Sequence, residues 1–282
     1  MMDKRIDLHT HSIYSDGSMT PAELVRHAKD EGLSAIALSD HDSIGGVAEA
    51  MEEGKKIGIE VIPAIELSAE AETETHILGY YIDINNKALL DKLEYVRQVR
   101  REREEEICDK LRDLGFDVSM EEVEELAETD VLCRAHFAKL MVAKGYVESV
   151  KQAFDLYLAN GRPAYSGRQA MTDEEAVKLI AEAGGVSFLA HLHLTRKPHD
   201  ELVEFVKRLK MAGLCGIEGY YTEYTPELQN EFQTLARDLD MPISGGTDFH
   251  GAFKPHISIG RGLGNMSIPY SLLDDIKKHV NY

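Results

Sequence analysis

A chain of 282 residues with 43% apolar and 29% charged residues can bury one large α/β core, or a barrel carrying an insertion. Its formal net charge of −19 repels nucleic-acid backbone in bulk, so long nucleic acid is excluded as a partner. A small phosphorylated substrate stays compatible where local cations or metals reverse the field.

The opening MMDKRIDLHTH lacks an apolar run of signal-peptide length, and no later window suits a bilayer span. A cytoplasmic protein with no membrane partner is therefore expected. Cys108, Cys133 and Cys215 form no CxxC pair and read as reduced, buried thiols.

In chain order, RIDLH predicts a strand, followed by a turn at Asp16-Gly17-Ser18. Thr20 suits an N-cap ahead of Pro21, and the helix through AELVRHAKDEG stops at Gly32. SAIALSDHD, then SIGGVAEAMEEGKKIG, then EVIPAIELS read as strand, helix and strand, the rhythm of parallel βα units. After THILGYYID the rhythm changes. Residues 86–168 show helical patterns only: a long charged amphipathic helix through Arg100, Arg103, Ile107, Leu111 and Leu114, then shorter ones near Ser119–Glu128, Arg134–Lys144 and Ser149–Leu158. The βα rhythm resumes from TDEEAVKLIAEAGG to PISGGTDFHG, and SLLDDIKKHV closes the chain as a helix. The expected organisation is an α/β barrel from residues 1–85 and 169–282, with a helical insertion at 86–168 covering the active site.

His9 and His11 are alternate residues at a strand end, so both imidazoles point to one side, and Asp16 follows in a glycine-containing loop. Alone, the pair is equally compatible with packed, hydrogen-bonded histidines. The pattern recurs, however, at Ser39-Asp40-His41-Asp42, at Glu66, at His191 and at Asp248-Phe249-His250, each placed at a strand end. In α/β barrels those ends form the active-site rim. His76 starts its strand instead, which leaves open a reversed direction or a hairpin with its predecessor. Six histidines with Asp16, Glu66 and Asp248 exceed the needs of one ion, so two or three divalent ions with a bridging carboxylate such as Glu66 are expected. Nitrogen and oxygen donors without thiolate favour Mn, Fe or Zn over a cysteine-based structural zinc.

HTHSIYSDG, SDHDS, AIELS, THILGY, LAH and GTDFHG, in this order over nearly the whole chain, resemble the PHP (polymerase and histidinol phosphatase) superfamily. The helical stretch with CRAHFA and GRPAYS resembles its branch of stand-alone nucleotide phosphatases and small-RNA 5′-exonucleases. The resemblance implies a distorted seven-stranded barrel with a trinuclear site. His9, His11, Glu66 and Asp248 would hold the first ion, Asp16, His41 and His250 the second, and Glu66, His76 and His191 the third. Where the family usually has proline after the last of these histidines, this chain has Leu192 and then His193. Asp248, His191 and His193 are the catalytic candidates, His193 as a proton donor to the leaving group.

In the similar enzymes, arginines of the long helix and an RxHF element contact substrate phosphate. Here that implies Arg100, Arg103, Arg134 and His136, with Arg97 and Arg101 close by. The run RQVRREREEE is also compatible with a solvated face of internal ion pairs. Glu218 either orients a ligand or caps a loop, and Asp40 or Asp42 is a candidate partner for the His41 ring. Tyr220 and Tyr221 suit base stacking or core packing. His27, His199 and His279 read as exposed, and His256 stays open. The expected activity is hydrolysis of small-nucleotide phosphomonoesters, such as a 3′,5′-nucleoside bisphosphate or AMP. The alternatives are 5′→3′ trimming of short RNA at the same site and a non-catalytic metal-binding module.

Overall fold

The structure, a computed structural model, describes residues 4–70, 74–127, 132, 134–167 and 170–280. The chain divides into two compact units, one of residues 1–93 and 171–282 and a second of residues 94–170.

In the first unit the strands are β1 (Arg5–Thr10), β2 (Leu33–Leu38), β3 (Glu60–Glu70), β4 (Glu74–Tyr80), β5 (Val186–Leu189), β6 (Gly216–Tyr221), β7 (Ile243–Gly246) and β8 (Ile268–Pro269). They form one sheet in the order β7-β6-β5-β4-β3-β2-β1-β8. Hydrogen bonds from Asp248 N to His9 O and from His11 N to Phe249 O join the end of β7 to β1, so the sheet nearly closes into a barrel. The expected strand number of seven is therefore corrected to eight among the described residues. The extra strand is the two-residue β8, antiparallel to β1, too short to show a period in the sequence. The all-parallel rhythm also breaks once. β4 runs antiparallel to both β3 and β5, so His76 sits in a hairpin arm opposite Ser68.

The helices of this unit form where sequence supplies their ends. Thr20 caps α1 (Pro21–Asp30) with a complete capping box to Glu23, and Thr172 does the same with Glu175 for α7 (Asp173–Glu182). Helix α2 (Val47–Ile57) starts later than expected, because Gly45 and Gly46 form a turn closed by the Val47 amide donating to the Ile44 carbonyl, and it ends on the left-handed Gly58. Helices α8 (His199–Ala212), α9 (Pro226–Asp238) and α10 (Ser271–Lys277) follow later. Ile6, Leu8, Ile62, Leu78, Tyr80, Phe188, Ile268, Leu273 and Ile276 bury into one core cluster, and Leu24, Val25, Ile36, Leu38, Phe249 and Ile259 belong to another. Each large side chain so buried contributes roughly 1.5–3 kcal/mol.

Helix α3 (Lys87–Asp113) begins in the first unit and ends in the second. The second unit adds α4 (Met120–Ala127), α5 (Arg134–Ala143) and α6 (Val150–Ala153), the last continued by a π turn over Phe154–Leu158. Its own core joins Ile107, Leu111, Val123, Phe137, Met141 and Leu158. Glu128 and Cys133 lie outside the described residues. Cys108 is buried and Cys215 half-buried, no disulfide joins them among the described residues, and burial pushes each thiol up to about 11. No helix among the described residues is long and apolar enough to cross a membrane.

Candidate metal centre

Glu66 lies within β3 rather than at its end, because the strand runs on to Glu70 to pair with β4. The carboxylate is fully buried and is ringed by imidazole nitrogens. Its Oε2 lies 3.1 Å from Nε2 of His9, 3.3 Å from Nε2 of His11 and 3.2 Å from Nδ1 of His41. The opposite oxygen, Oε1, lies 3.0 Å from Nδ1 of His76 and 2.9 Å from Nε2 of His191. These two nitrogens are 3.2 Å apart.

Donor atoms of His9, His11, Glu66 and Asp248 lie within 4.8 Å of one another, as do those of His11, Asp16, His41 and His250, and those of His41, Glu66 and His76. The strand ends bring these side chains together. His9 and His11 leave β1 on the same side, His41 follows β2, and His191 follows β5. Asp248 and His250 follow β7. Asp16 returns through a loop in which the backbone of Gly17 runs so close to His11 that a Cβ would sit 2.3 Å from its carbonyl oxygen. Three residues at the site, Asp42, His191 and Asp248, hold positive φ angles of 49°, 26° and 55°. Such backbone is uncommon for side chains of this kind and is held in place only by its surroundings.

Those surroundings are specific. Nδ1–H of His9 donates to Oε1 of Glu218 at 2.9 Å, and the backbone N–H of His191 donates to its Oε2 at 2.6 Å. The next amide, of Leu192, donates to the Tyr224 hydroxyl at 2.8 Å. Nδ1–H of His250 donates to the Asp248 carbonyl at 2.8 Å. The second nitrogens of His9 and His250 face the carboxylates of Glu66 and Asp16, each at 3.1 Å, the side on which a metal-binding histidine presents its ligating nitrogen. Glu218 thus holds the His9 ring and the His191 backbone rather than capping a loop.

Asp40 does not hold the His41 ring as expected. Its carboxylate accepts from the amide and hydroxyl of Ser12 and the hydroxyl of Ser15, each at 2.7 Å, and so braces the Asp16 loop. Asp42 accepts from the Ser68 amide at 2.9 Å. Tyr220 packs against the core, and Tyr221 is buried too, its ring 5.3 Å from that of Tyr224, while its hydroxyl donates to Oδ2 of Asp248 at 2.9 Å. Lys254 donates to the same oxygen at 2.7 Å, and no motif in the sequence marks it. His193 stands outside the donor groups, with its ring 5.4 Å from those of Tyr221 and Tyr224 and its Nε2 3.4 Å from Glu223. His199, His256 and His279 are exposed, while His27 is half-buried against Phe249.

Electrostatics favour cations here. Burial opposes ionisation of Glu66, but His9, His41 and His76 outweigh it and hold the carboxyl well below the usual range. Asp248 behaves alike, burial being overcome by His9, His11, His250 and Lys254. Burial depresses His41 to about 4, whereas Asp248 and Glu66 overcome burial at His11 and lift it to about 9. The imidazoles thus answer the carboxylates unequally. Among the described residues, buried Nε2 of His11, Nδ1 of His41 and Oδ1 of Asp16 find no partner in hydrogen-bond geometry, although imidazole or carboxylate atoms lie 3.1–3.3 Å away. Buried polar atoms left unpaired in this way are costly, and divalent cations among them would satisfy all three. The donor set therefore fits such ions.

In the second unit, Arg100, Arg103 and Arg134 are half-buried and His136 is buried. The Arg134 guanidinium lies over the Tyr165 ring at 5.4 Å. Arg97 and Arg101 are exposed and pair with Glu94 and Glu105 on their own helix, the solvated-face arrangement.

The family model of the PHP domain matches residues 7–182. The chain is similar to a 5′-3′ exoribonuclease of Haemophilus influenzae, 33% identical over 88% of this chain and 91% of that protein. It is similar to a 3′,5′-nucleoside bisphosphate phosphatase of Chromobacterium violaceum, 32% identical over 87% of each. Among solved structures, one described as a metal-dependent phosphoesterase from Bifidobacterium adolescentis superposes with a TM-score of 0.80 at 27% identity. That match covers 99% of this chain and 97% of the other.

Proposed function

This chain belongs to the PHP domain family, and on that premise we propose that it is a metal-dependent phosphoesterase hydrolysing phosphomonoesters of small nucleotides, with nucleoside 3′,5′-bisphosphates as the leading substrate class. The observation that carries this reading is the single buried carboxylate of Glu66 with five imidazoles around its two oxygens. Within it, His9, His11, Glu66 and Asp248 form one ion site and Asp16, His41 and His250 a second. Glu66, His76 and His191 form a third. The ions are of the Mn, Fe or Zn type, which suits nitrogen and oxygen donors.

Held by these residues, divalent ions would supply acidified water and charge neutralisation for the phosphoryl group. Glu66 ties the imidazole groups together through its two oxygens, while Glu218 and the Asp248 carbonyl keep His9 and His250 in the tautomer that ligation needs. Phosphoryl transfer demands mainly such positioning and charge neutralisation. His193 enters the proposal as a proton donor to the leaving oxygen, supported by its place two residues beyond His191 and its neighbour Glu223. Arg100, Arg103, Arg134 and His136 enter it as phosphate contacts, supported by the planar fork with which arginine binds paired oxygens. A cytoplasmic setting enters the proposal from the three widely spaced cysteines of the sequence.

A second reading, 5′→3′ hydrolysis of short RNA, is favoured by the similarity to the Haemophilus exoribonuclease. Phosphate release with added Mn²⁺ from adenosine 3′,5′-bisphosphate, AMP, histidinol phosphate and a 5′-phosphorylated RNA pentamer separates the two. Release highest from the bisphosphate establishes the phosphatase, whereas nucleotides liberated from the pentamer establish the exonuclease. No turnover of any of them by metal-loaded protein would overturn both readings.

A further inference from the structure

The two oxygens of Asp248 have different neighbours. Its Oδ1 faces imidazoles, 3.1 Å from Nε2 of His11, 3.5 Å from Nε2 of His9 and 3.5 Å from Nδ1 of His250. Its Oδ2 accepts from the Tyr221 hydroxyl at 2.9 Å and from the Lys254 ammonium at 2.7 Å. A carboxylate oxygen has two in-plane lone pairs, so these two donors use up Oδ2. Any rotation that turned Oδ2 towards the imidazoles would break both bonds inside a buried site.

Resting on the metal-centre reading above, we propose that Tyr221 and Lys254 act as a pair of positioning residues that fix Asp248 as a one-oxygen ligand, presenting only Oδ1 to the ion. Neither donor is adventitious in its placement. Tyr221 ends β6, three residues beyond Glu218, and its ring lies 5.6 Å from that of His191. Lys254 closes the short turn after His250. That turn is tied to the Asp16 loop by the amide of Ser18 donating to the His250 carbonyl and the amide of Ala252 donating to the Ser18 hydroxyl. The lysine is half-buried with its ammonium on a ligand carboxylate, and the positive φ of Asp248 gives that residue's backbone little freedom to compensate. The β6 strand thus braces both ends of the cluster, His9 and His191 through Glu218 and Asp248 through Tyr221.

Charge and positioning predict opposite signs for Lys254. Removing a cation beside a cation site tightens metal binding by Coulomb's law alone, whereas releasing Asp248 weakens it. The test is Mn²⁺ affinity of the apo full-length chain by chelator competition, for wild type, Tyr221→Phe, Lys254→Met and Lys254→Arg, with thermal melts of each apo protein. Loss of a hydrogen bond to a metal ligand typically lowers affinity about 10–100-fold. We expect a loss of at least about tenfold for Tyr221→Phe and for Lys254→Met, partial recovery in Lys254→Arg, and apo melts close to wild type. Tighter binding by Lys254→Met, or wild-type affinity in both Tyr221→Phe and Lys254→Met, would overturn the inference. Failure of the wild type itself to bind Mn²⁺ would overturn the metal-centre reading instead.

Discussion

Nδ1–H of His9 donates to Oε1 of Glu218 at 2.9 Å, with both side chains fully buried. Because the other oxygen of Glu218 holds the backbone of His191, one carboxylate sets the tautomer of one imidazole and the strained backbone of another. Glu218→Gln turns one of these oxygens into an amide that can no longer accept. Metal affinity should fall by about 10–100-fold while turnover at saturating metal falls less. Chelator competition together with kcat at high Mn²⁺ checks this, and unchanged affinity would contradict it.

Gly246 ends β7 directly against β1, where a Cβ would sit 2.1 Å from Cβ of His9 and 2.4 Å from its amide nitrogen. Gly246→Ala must push the closing strands apart. The expected destabilisation is about 1–3 kcal/mol, with reduced metal content from displacement of His9. A thermal melt and metal analysis of the purified variant would reveal both, and wild-type behaviour in each would show that the barrel closes with slack.

Burial pushes the Glu104 carboxyl up to about 7, although Arg100, Arg103 and Arg101 oppose the shift. Folding therefore retains a proton that the unfolded chain, with its ordinary value of 4.5, has released. The contribution of this group to stability is full below pH 4.5, falls as pH rises towards 7 and is lost above it. Glu104→Gln should stabilise the chain relative to wild type at pH 8, by at most about 3 kcal/mol, and much less at pH 4.5. Urea unfolding at the two pH values measures the difference, and an equal effect at both would contradict the assignment.

If Arg134 and His136 touch substrate phosphate, Arg134→Met and His136→Asn should raise KM about tenfold or more, the worth of one charge-assisted hydrogen bond, with metal content unchanged. If Arg134 serves only its contacts to the Leu158 carbonyl and the Tyr165 ring, its replacement will lower the melting temperature and leave KM alone. Kinetics and melts on the same preparations distinguish the outcomes.

The clustered histidines and carboxylates are legible in the sequence because alternation along a strand and repetition at strand ends are local patterns, as at His9, His11, His41, Asp248 and His250. Capping at Thr20 is legible for the same reason, being written in four consecutive residues. What is not legible depends on contacts between distant segments. β8 is a two-residue partner to β1 from more than 250 positions away, and no period marks it. The reversal of β4 follows from the length of β3, which continues past Glu66 into a hairpin. The role of Asp40 is hidden because proximity to His41 in sequence says nothing of Ser12 and Ser15, which its carboxylate serves. Tyr221 and Lys254 carry no motif. The lysine lies six positions beyond Asp248, and only the turn over Gly251–Phe253 folds it back.

The most direct test of the metal-dependent phosphoesterase is to compare wild type and Glu66→Gln, each reconstituted with Mn²⁺, for bound metal per chain and for phosphate release from adenosine 3′,5′-bisphosphate. The account predicts more than one ion per chain in the wild type, release that a chelator abolishes, and loss of metal and turnover together in the variant. Turnover that survives the chelator, or a Glu66→Gln protein with wild-type metal content and rate, would contradict it.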